Sequence, residues 1–250
     1  MSIITVCHDS AQTISTSLQS VAAQHYERIE HVIVDGGSTD GTVDLIKDWR
    51  RHTVRLLSEP DDGIYDAMNK GLALASGDII GFLHSDDLYA NEEILSRVVQ
   101  AFDDPSVDAV YGDLVYVRKD DTNAVVRYWR AGAFDRTRFS SGWMPPHPTV
   151  FVRNSVYRRL GGFDKRYRIA ADYDLILRFF ARNTLRVAYI PEVLIKMRIG
   201  GISNRSLEAV LRKSREDLLA LRRNGLGGWW TLAQKNLSKI PQFFGRSKRG

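Results

Sequence analysis

The chain has 250 residues, 44% of them hydrophobic, and a formal charge of +5. That much apolar material suits one large α/β domain with an appendage rather than two equal domains. Residues 205–250 carry 11 Lys and Arg against 3 acids while the other 204 residues sum to −3, which argues against a uniformly basic nucleic-acid-binding body.

The lone Cys7 cannot form an intramolecular disulfide and reads as a small core residue in a reducing compartment. No secretory signal is recognisable, and no stretch approaches the roughly 20 apolar residues of a spanning helix, so the expectation is a soluble or peripheral protein. Ser2–Cys7 reads as a short apolar strand, followed by a helix from about Ala11 to Ala23 with Ile14, Leu18, Val21 and Ala22 inward. His31–Asp35 is a second strand, and Ser38-Thr39-Asp40-Gly41-Thr42 opens a helix carrying Val43, Ile46 and Trp49. Strands at Val54–Ser58 and Ile79–Leu83 flank a helix at Asp66–Ala75; a helix near Glu92–Phe102 leads to a strand at Ala109–Tyr111. This alternation implies a mainly parallel sheet covered on both faces, with ligands at the carboxyl ends of its strands. Beyond residue 113 the pattern loosens into a hairpin (Leu114–Val117 and Ala124–Trp129), a loop at Ser141–His147, a strand at Thr149–Val152 and helices at Ser155–Leu160 and Asp172–Ala181.

Three segments carry chemistry. Ser85-Asp86-Asp87 ends an apolar strand with adjacent carboxylates, which suits a bound cation or polarised substrate and equally a solvated turn. Asp35-Gly36-Gly37-Ser38-Thr39-Asp40-Gly41-Thr42 joins a strand to a helix through three glycines without being a dinucleotide fingerprint or a P-loop. Asp40 reads as a helix cap, whereas Asp35 is better placed to accept hydrogen bonds from a nucleoside. In Glu59 to Gly71, Lys70 offers a compact cation for phosphate, Asn69 offers donor and acceptor, and Asp66 opens the helix.

Thr5-Val6, these three segments, Gly161-Gly162-Phe163-Asp164 and Ala171-Asp172-Tyr173-Asp174-Leu175 together resemble, in order and spacing, family 2 glycosyltransferases of the bacterial polysaccharide-biosynthesis type. The resemblance implies a GT-A fold over residues 1–204, with a nucleotide-sugar-binding half (1–112) and an acceptor-binding half (113–204), followed by a basic helical tail (205–250). It implies that Thr5 and Asp35 lie by the nucleobase and ribose, that Asp86 and Asp87 meet the ribose and a divalent cation, Mn²⁺ or Mg²⁺, on the diphosphate, and that Asp172 is the catalytic base. His147, Trp143 and Arg198 are further candidate contacts to diphosphate or acceptor, and Asp66, Asn69 and Lys70 stand with the donor-binding residues. Three departures stand out: His84 replaces a leading Asp, Gly36 replaces a second Asp that often contacts the base, and Ala171 replaces a Glu.

The expected activity is inverting transfer from a nucleotide-sugar donor, UDP-linked, to a hydroxyl of a glycan or polyprenyl-linked acceptor, with no nucleic-acid partner. Sugar-phosphate nucleotidyl transfer and non-catalytic nucleotide-sugar binding are the competing readings; the first expects a Gly-rich basic loop after the first strand, which His8-Asp9-Ser10 is not. In the tail, Leu207–Leu221 reads as a helix packed on the domain. Trp229-Trp230 with Lys235 and Lys239 suits an anionic membrane surface; with the resemblance, the expectation is a cytoplasmic protein that can lie peripherally on the inner face of the plasma membrane.

Overall fold

The structure is a computed structural model, and it describes residues 1–200 and 207–237. Four strands, β1 (Ser2–Cys7), β2 (Glu30–Asp35), β3 (Val54–Ser58) and β4 (Ile79–Phe82), pair in parallel in the order β3-β2-β1-β4. All six residues of β1 are buried, as a central strand covered on both faces requires. Helix α1 (Ile14–Ala22) buries Ile14, Leu18 and Val21, and α3 (Ile64–Leu74) buries Tyr65, Ala67 and Met68; α2 (Thr42–Lys47) is a short turn and a half between them. Each fully buried aliphatic side chain of this kind contributes about 1.5–3 kcal/mol. Registers of Cys7 with Asp35 and Asp35 with Ser58 align the carboxyl ends of β1, β2 and β3 on one edge.

The sheet continues from β4 through β8 (Phe151–Arg153), β6 (Ala109–Val117) and β9 (Val187–Arg198) to β5 (Asp87–Tyr89), with β7 (Val125–Trp129) hairpinned onto β6. Here parallel and antiparallel pairings mix: β6 runs parallel to β9 and antiparallel to β7 and β8. The expected α/β architecture is present, with its parallel part concentrated in the first half. Two strands are additions to the sequence expectation. Asp87 does not sit in a turn but opens β5, and β9 is a twelve-residue strand. Pro191 and several polar positions concealed β9; the register skips Pro191 and Glu192 between Ile190 and Val193, the bulge that a proline inside a sheet requires. Helices α4 (Ile94–Ala101) and α5 (Asn154–Leu160) and then α6 (Ala171–Ile176), continued as a π-helical turn over Leu177–Ala181, complete the body.

The described part of the tail is not a loose appendage. Helix α7 (Leu207–Arg223) buries Leu218, Ala220 and Leu221, and α8 (Trp229–Leu237) buries Thr231, Leu232 and Lys235. Asp217 lies between Lys213 (3.2 Å) and Lys235 (2.9 Å), and the Lys235 ammonium stands 3.1 Å from the centroid of the Tyr173 ring in α6. Desolvation works to raise the Asp217 pKa, but the two lysines overcome it and hold the carboxyl below its usual value. Gly142, at φ +79°, sits so close to α8 that a Cβ there would meet the Lys235 backbone at 2.7 Å. The second half of α7 therefore packs on the domain as expected, whereas Val210 and Leu211 in its first half are exposed; α8 packs on the domain as well, while Trp229 and Trp230 on its first turn are 65% and 76% exposed. Lys239 lies outside the described residues.

Candidate active site

The edge formed by β1 and β2 is built by Asp35. Its carboxylate accepts from the Gly37 and Ser38 amides (3.1 and 3.0 Å), from both Ser38 and Ser58 hydroxyls, and weakly from Cys7, which shapes the glycine turn. The first influence on Asp35 is desolvation, which raises its pKa; the hydrogen bonds prevail and lower it. Asp35 is fully buried and these donors take both its oxygens, so it is corrected from a direct nucleoside contact to the brace of the glycine turn. Beside it, a Cβ at Gly36 would collide with Asp61 Oδ2 and lie 3.4 Å from His8 Nδ1. A carboxylate therefore stands against the position where a side chain at residue 36 would begin. Asp61 was not a sequence candidate, and only this spatial exchange with Gly36 reveals it.

Thr5 requires a correction. It is fully buried, and its hydroxyl lies 2.9 Å from His31 Nε2, itself bonded to His52. Trp49 Nε1 donates to His52 Nδ1, so the chain Trp49–His52–His31–Thr5 runs in one direction with neutral imidazoles. Burial drives His31 down to about 3. Thr5 is thus a support inside the sheet and offers no surface to a ligand. Cys7 is buried and its thiol pKa is raised by desolvation, consistent with the inert core role expected of it.

The sharpest chemistry lies at the end of β4. Asp87 is fully buried, and neither carboxylate oxygen has a hydrogen-bond partner among the described residues. Burial first, and then the Asp86 carboxylate, hold the Asp87 carboxyl well above the usual carboxylate range, with Arg198 opposing. The Arg198 guanidinium is buried beneath Asp86, donating to the Asp86 carbonyl at 2.7 Å and to Thr16 Oγ1 at 3.1 Å, with Nε left without a hydrogen-bond partner among the described residues. His84 Nδ1 is a fourth buried atom of this kind. Desolvation lowers the His84 pKa against the raising influence of Asp86 and Asp172. Four such orphaned atoms in one corner are costly in a folded protein unless a ligand completes them. The donor set, two carboxylates of which one is wholly buried, fits a hard divalent cation that keeps most of its coordination for phosphate oxygens and water. No group of three or more His, Cys, Asp or Glu side chains is arranged to hold a metal ion among the described residues, so the protein would supply only part of the shell.

Asp172 lies in the first turn of α6 and is only partly buried. Tyr65, from α3, has its hydroxyl 2.6 Å from the Ile169 carbonyl and 3.2 Å from Asp172 Oδ1. Desolvation and then the Asp172 charge raise the Tyr65 pKa, so it stays a neutral donor. His147 is buried against the rings of Phe82 and Phe163, with centroids at 6.0 and 5.6 Å. Burial lowers its pKa to about 4; Asp172 opposes this and His84 adds to it. Asp86, Asp87, His84, His147 and Asp172 thus share one electrostatic neighbourhood, since Tyr116 also senses both Asp87 and Asp172.

Other sequence candidates sit elsewhere. Asn69 is corrected to a structural clamp: it donates to the Phe163 carbonyl and accepts from the Phe163 amide, both at 2.8 Å. Trp143 gives its indole N–H to the Ala131 carbonyl and packs against Tyr111, Phe134 and Phe139, so it closes the core. Lys70 is paired with Glu59 (2.8 Å) and Asp66 (3.5 Å), and Asp66 is also paired with Lys165 (2.7 Å). To meet a phosphate, Lys70 must leave these partners. Tyr65 escaped sequence reasoning because its contact with Asp172 spans 107 residues.

Comparison with known proteins bears on this arrangement. Residues 2–161 match the family model "Glycosyl transferase family 2". A "PGL/p-HBAD biosynthesis glycosyltransferase" of Mycobacterium tuberculosis is 34% identical over 209 residues, 81% of this chain and 78% of the relative. An "uncharacterized glycosyltransferase" of the same species is 34% identical over 180 residues, covering 71% and 68%. Among solved structures, Staphylococcus aureus TarS residues 1–349 with UDP-GlcNAc superposes with a TM-score of 0.71 at 17% identity, covering 96% of this chain and 72% of that one. The mannosyltransferase PcManGT from Pyrobaculum calidifontis with GDP-Man and Mn²⁺ gives 0.66 at 20% identity, covering 98% and 75%.

Proposed function

The chain belongs to glycosyl transferase family 2 and has the GT-A fold, and from that premise we propose that it is an inverting, metal-dependent glycosyltransferase using a UDP-linked sugar. The single observation that carries the metal and the donor side is the corner of orphaned buried atoms at Asp87, Arg198 and His84. Asp86 and Asp87 are the residues that would hold Mn²⁺ or Mg²⁺, which when bound supplies charge neutralisation for the leaving diphosphate. Asp61 and the glycine turn that Asp35 braces face the nucleoside, and Arg198 fastens the Asp86 carbonyl. On the other side, Asp172 takes the proton from an acceptor hydroxyl as that oxygen attacks the anomeric carbon. The bond from that carbon to the diphosphate oxygen breaks with its electron pair on the diphosphate, and attack from the opposite face inverts the configuration. The test is release of nucleoside diphosphate from UDP-glucose, UDP-N-acetylglucosamine and GDP-mannose. Turnover of a UDP-sugar that requires Mn²⁺ and stops with EDTA is expected. Binding without turnover, or formation of a sugar nucleotide from sugar 1-phosphate and UTP, would overturn the reading.

The acceptor in this proposal is a glycan or lipid-linked hydroxyl used in surface polysaccharide or glycolipid assembly, at the inner face of the plasma membrane. A relative named for PGL biosynthesis and two exposed tryptophans beside a basic tail support it. No described helix is long and apolar enough to cross a membrane. Because α8 is packed on the domain, the test replaces its exposed side chains and leaves the helix in place. The double substitution Trp229→Ala, Trp230→Ala is expected to weaken binding to phosphatidylglycerol vesicles about tenfold, with Tm unchanged. Equal binding by variant and wild type, or no preference for phosphatidylglycerol over phosphatidylcholine, would remove the membrane contact.

A further inference from the structure

The loop that leads into α6 presents a row of backbone N–H groups that its own side chains leave uncapped; Ala170, at the N-cap, has no hydroxyl or carboxylate to offer. The cap comes instead from α7. Glu216 accepts from the Arg168 amide (3.1 Å), the Ile169 amide (2.8 Å) and the Ala170 amide (3.0 Å). One carboxylate thus fixes three successive amides, the last of them two residues before Asp172. The same loop is gripped from the other side, where Tyr65 bonds the Ile169 carbonyl and Arg168 donates to the Asp62 carbonyl at 2.7 Å. Glu216 lies outside the 2–161 span of the family model, and nothing in the sequence spacing ties it to the site.

We propose that Glu216 is a positioning residue for the reaction, holding the 168–170 loop so that the Asp172 carboxylate is aimed at the acceptor hydroxyl. This rests on the assignment of Asp172 as the base. A carboxylate on a frayed first turn would sample many orientations, and a displacement of about 1 Å costs roughly 10²-fold in rate. Two variants separate reach from charge. Glu216→Asp keeps the charge and loses one methylene of reach; Glu216→Gln keeps the length and one accepting oxygen. With the same three donors and Mn²⁺, Glu216→Asp is expected to lose about 10²-fold in kcat, with donor KM within about twofold because the donor-binding edge is untouched. Glu216→Gln is expected to stay within about threefold of wild type. Donor KM and Tm of each variant report whether it is folded. Wild-type kcat in Glu216→Asp, equal losses in both variants, or parallel changes in kcat and KM would overturn the proposal. The base assignment has its own control: full activity in Asp172→Asn sinks that assignment, whereas an inactive Asp172→Asn beside a fully active Glu216→Asp sinks only the positioning role.

Discussion

Asp172→Asn is expected to lower sugar transfer about 10³-fold, leaving the fold intact and donor KM within about twofold. Asparagine has the same size and still accepts from the Tyr65 hydroxyl, so the contact at 3.2 Å survives. What it cannot do is take a proton from the attacking oxygen. The side chain is partly exposed and sits in the first turn of α6, where no buried charge is left unbalanced by the change. Rates of nucleoside diphosphate release, a UDP titration and a melting curve on the same preparation separate the outcomes. A folded Asp172→Asn with wild-type turnover would require another base, and no other carboxylate accepts from the loop-gripping Tyr65 hydroxyl among the described residues.

Asp87→Asn should act with opposite signs on activity and stability. Turnover is expected to fall by at least about 10²-fold, because the fully buried carboxylate that opens β5 is lost as the proposed cation ligand. In EDTA at neutral pH, however, the variant is expected to be more stable by about 1–3 kcal/mol. The reason is linkage. A carboxyl whose folded pKa is raised favours the folded state fully only below its unfolded value near 4, and that advantage declines as pH rises toward the folded value. Wild type should therefore gain stability on acidification from neutrality toward pH 4 through this group, and the asparagine variant should lack that component. Mn²⁺ binds the folded state and should raise the wild-type Tm without moving that of Asp87→Asn. Thermal melts at two pH values, with EDTA and with Mn²⁺, test all of this without an activity assay. A variant less stable than wild type in EDTA, or one whose Tm rises equally with Mn²⁺, would remove Asp87 from the cation site.

Much of this was legible because the first 112 residues are built from local patterns. Apolar runs such as Ile79 to Phe82, alternating with helices such as Ile64–Leu74, announce a parallel sheet, and Asp35 and Asp86 follow strands whose ends must share an edge. Asp172 came from a resemblance, since its spacing alone also suits a helix cap. What escaped was carried by contacts distant in sequence. The resemblance puts Thr5 by the nucleobase, but His31, 26 residues on, takes its hydroxyl inside the sheet. Asn69 has the right chemistry for a ligand but is claimed by Phe163 at both ends. Asp87 is a cation-ligand candidate from its position after an apolar run, but that it opens a strand is hidden, because three residues of β5 are too few to show alternation and Pro191 conceals their partner β9. The tail's positive charge suggested solvent or lipid throughout, yet Lys235 is inside, matched by Asp217 and Tyr173.

Lys235 has a geometric implication as well. It fastens α8 to Tyr173, the neighbour of Asp172 in α6, while Trp229 and Trp230 project from the same short helix. The outward tryptophans and Asp172, the proposed base, are therefore joined through packed helices and no slack linker. A bilayer met by those two rings would lie at a constant standoff from the bond being formed. The protein would then act as a ruler, selecting acceptors whose reactive hydroxyl rises to that height above the lipid.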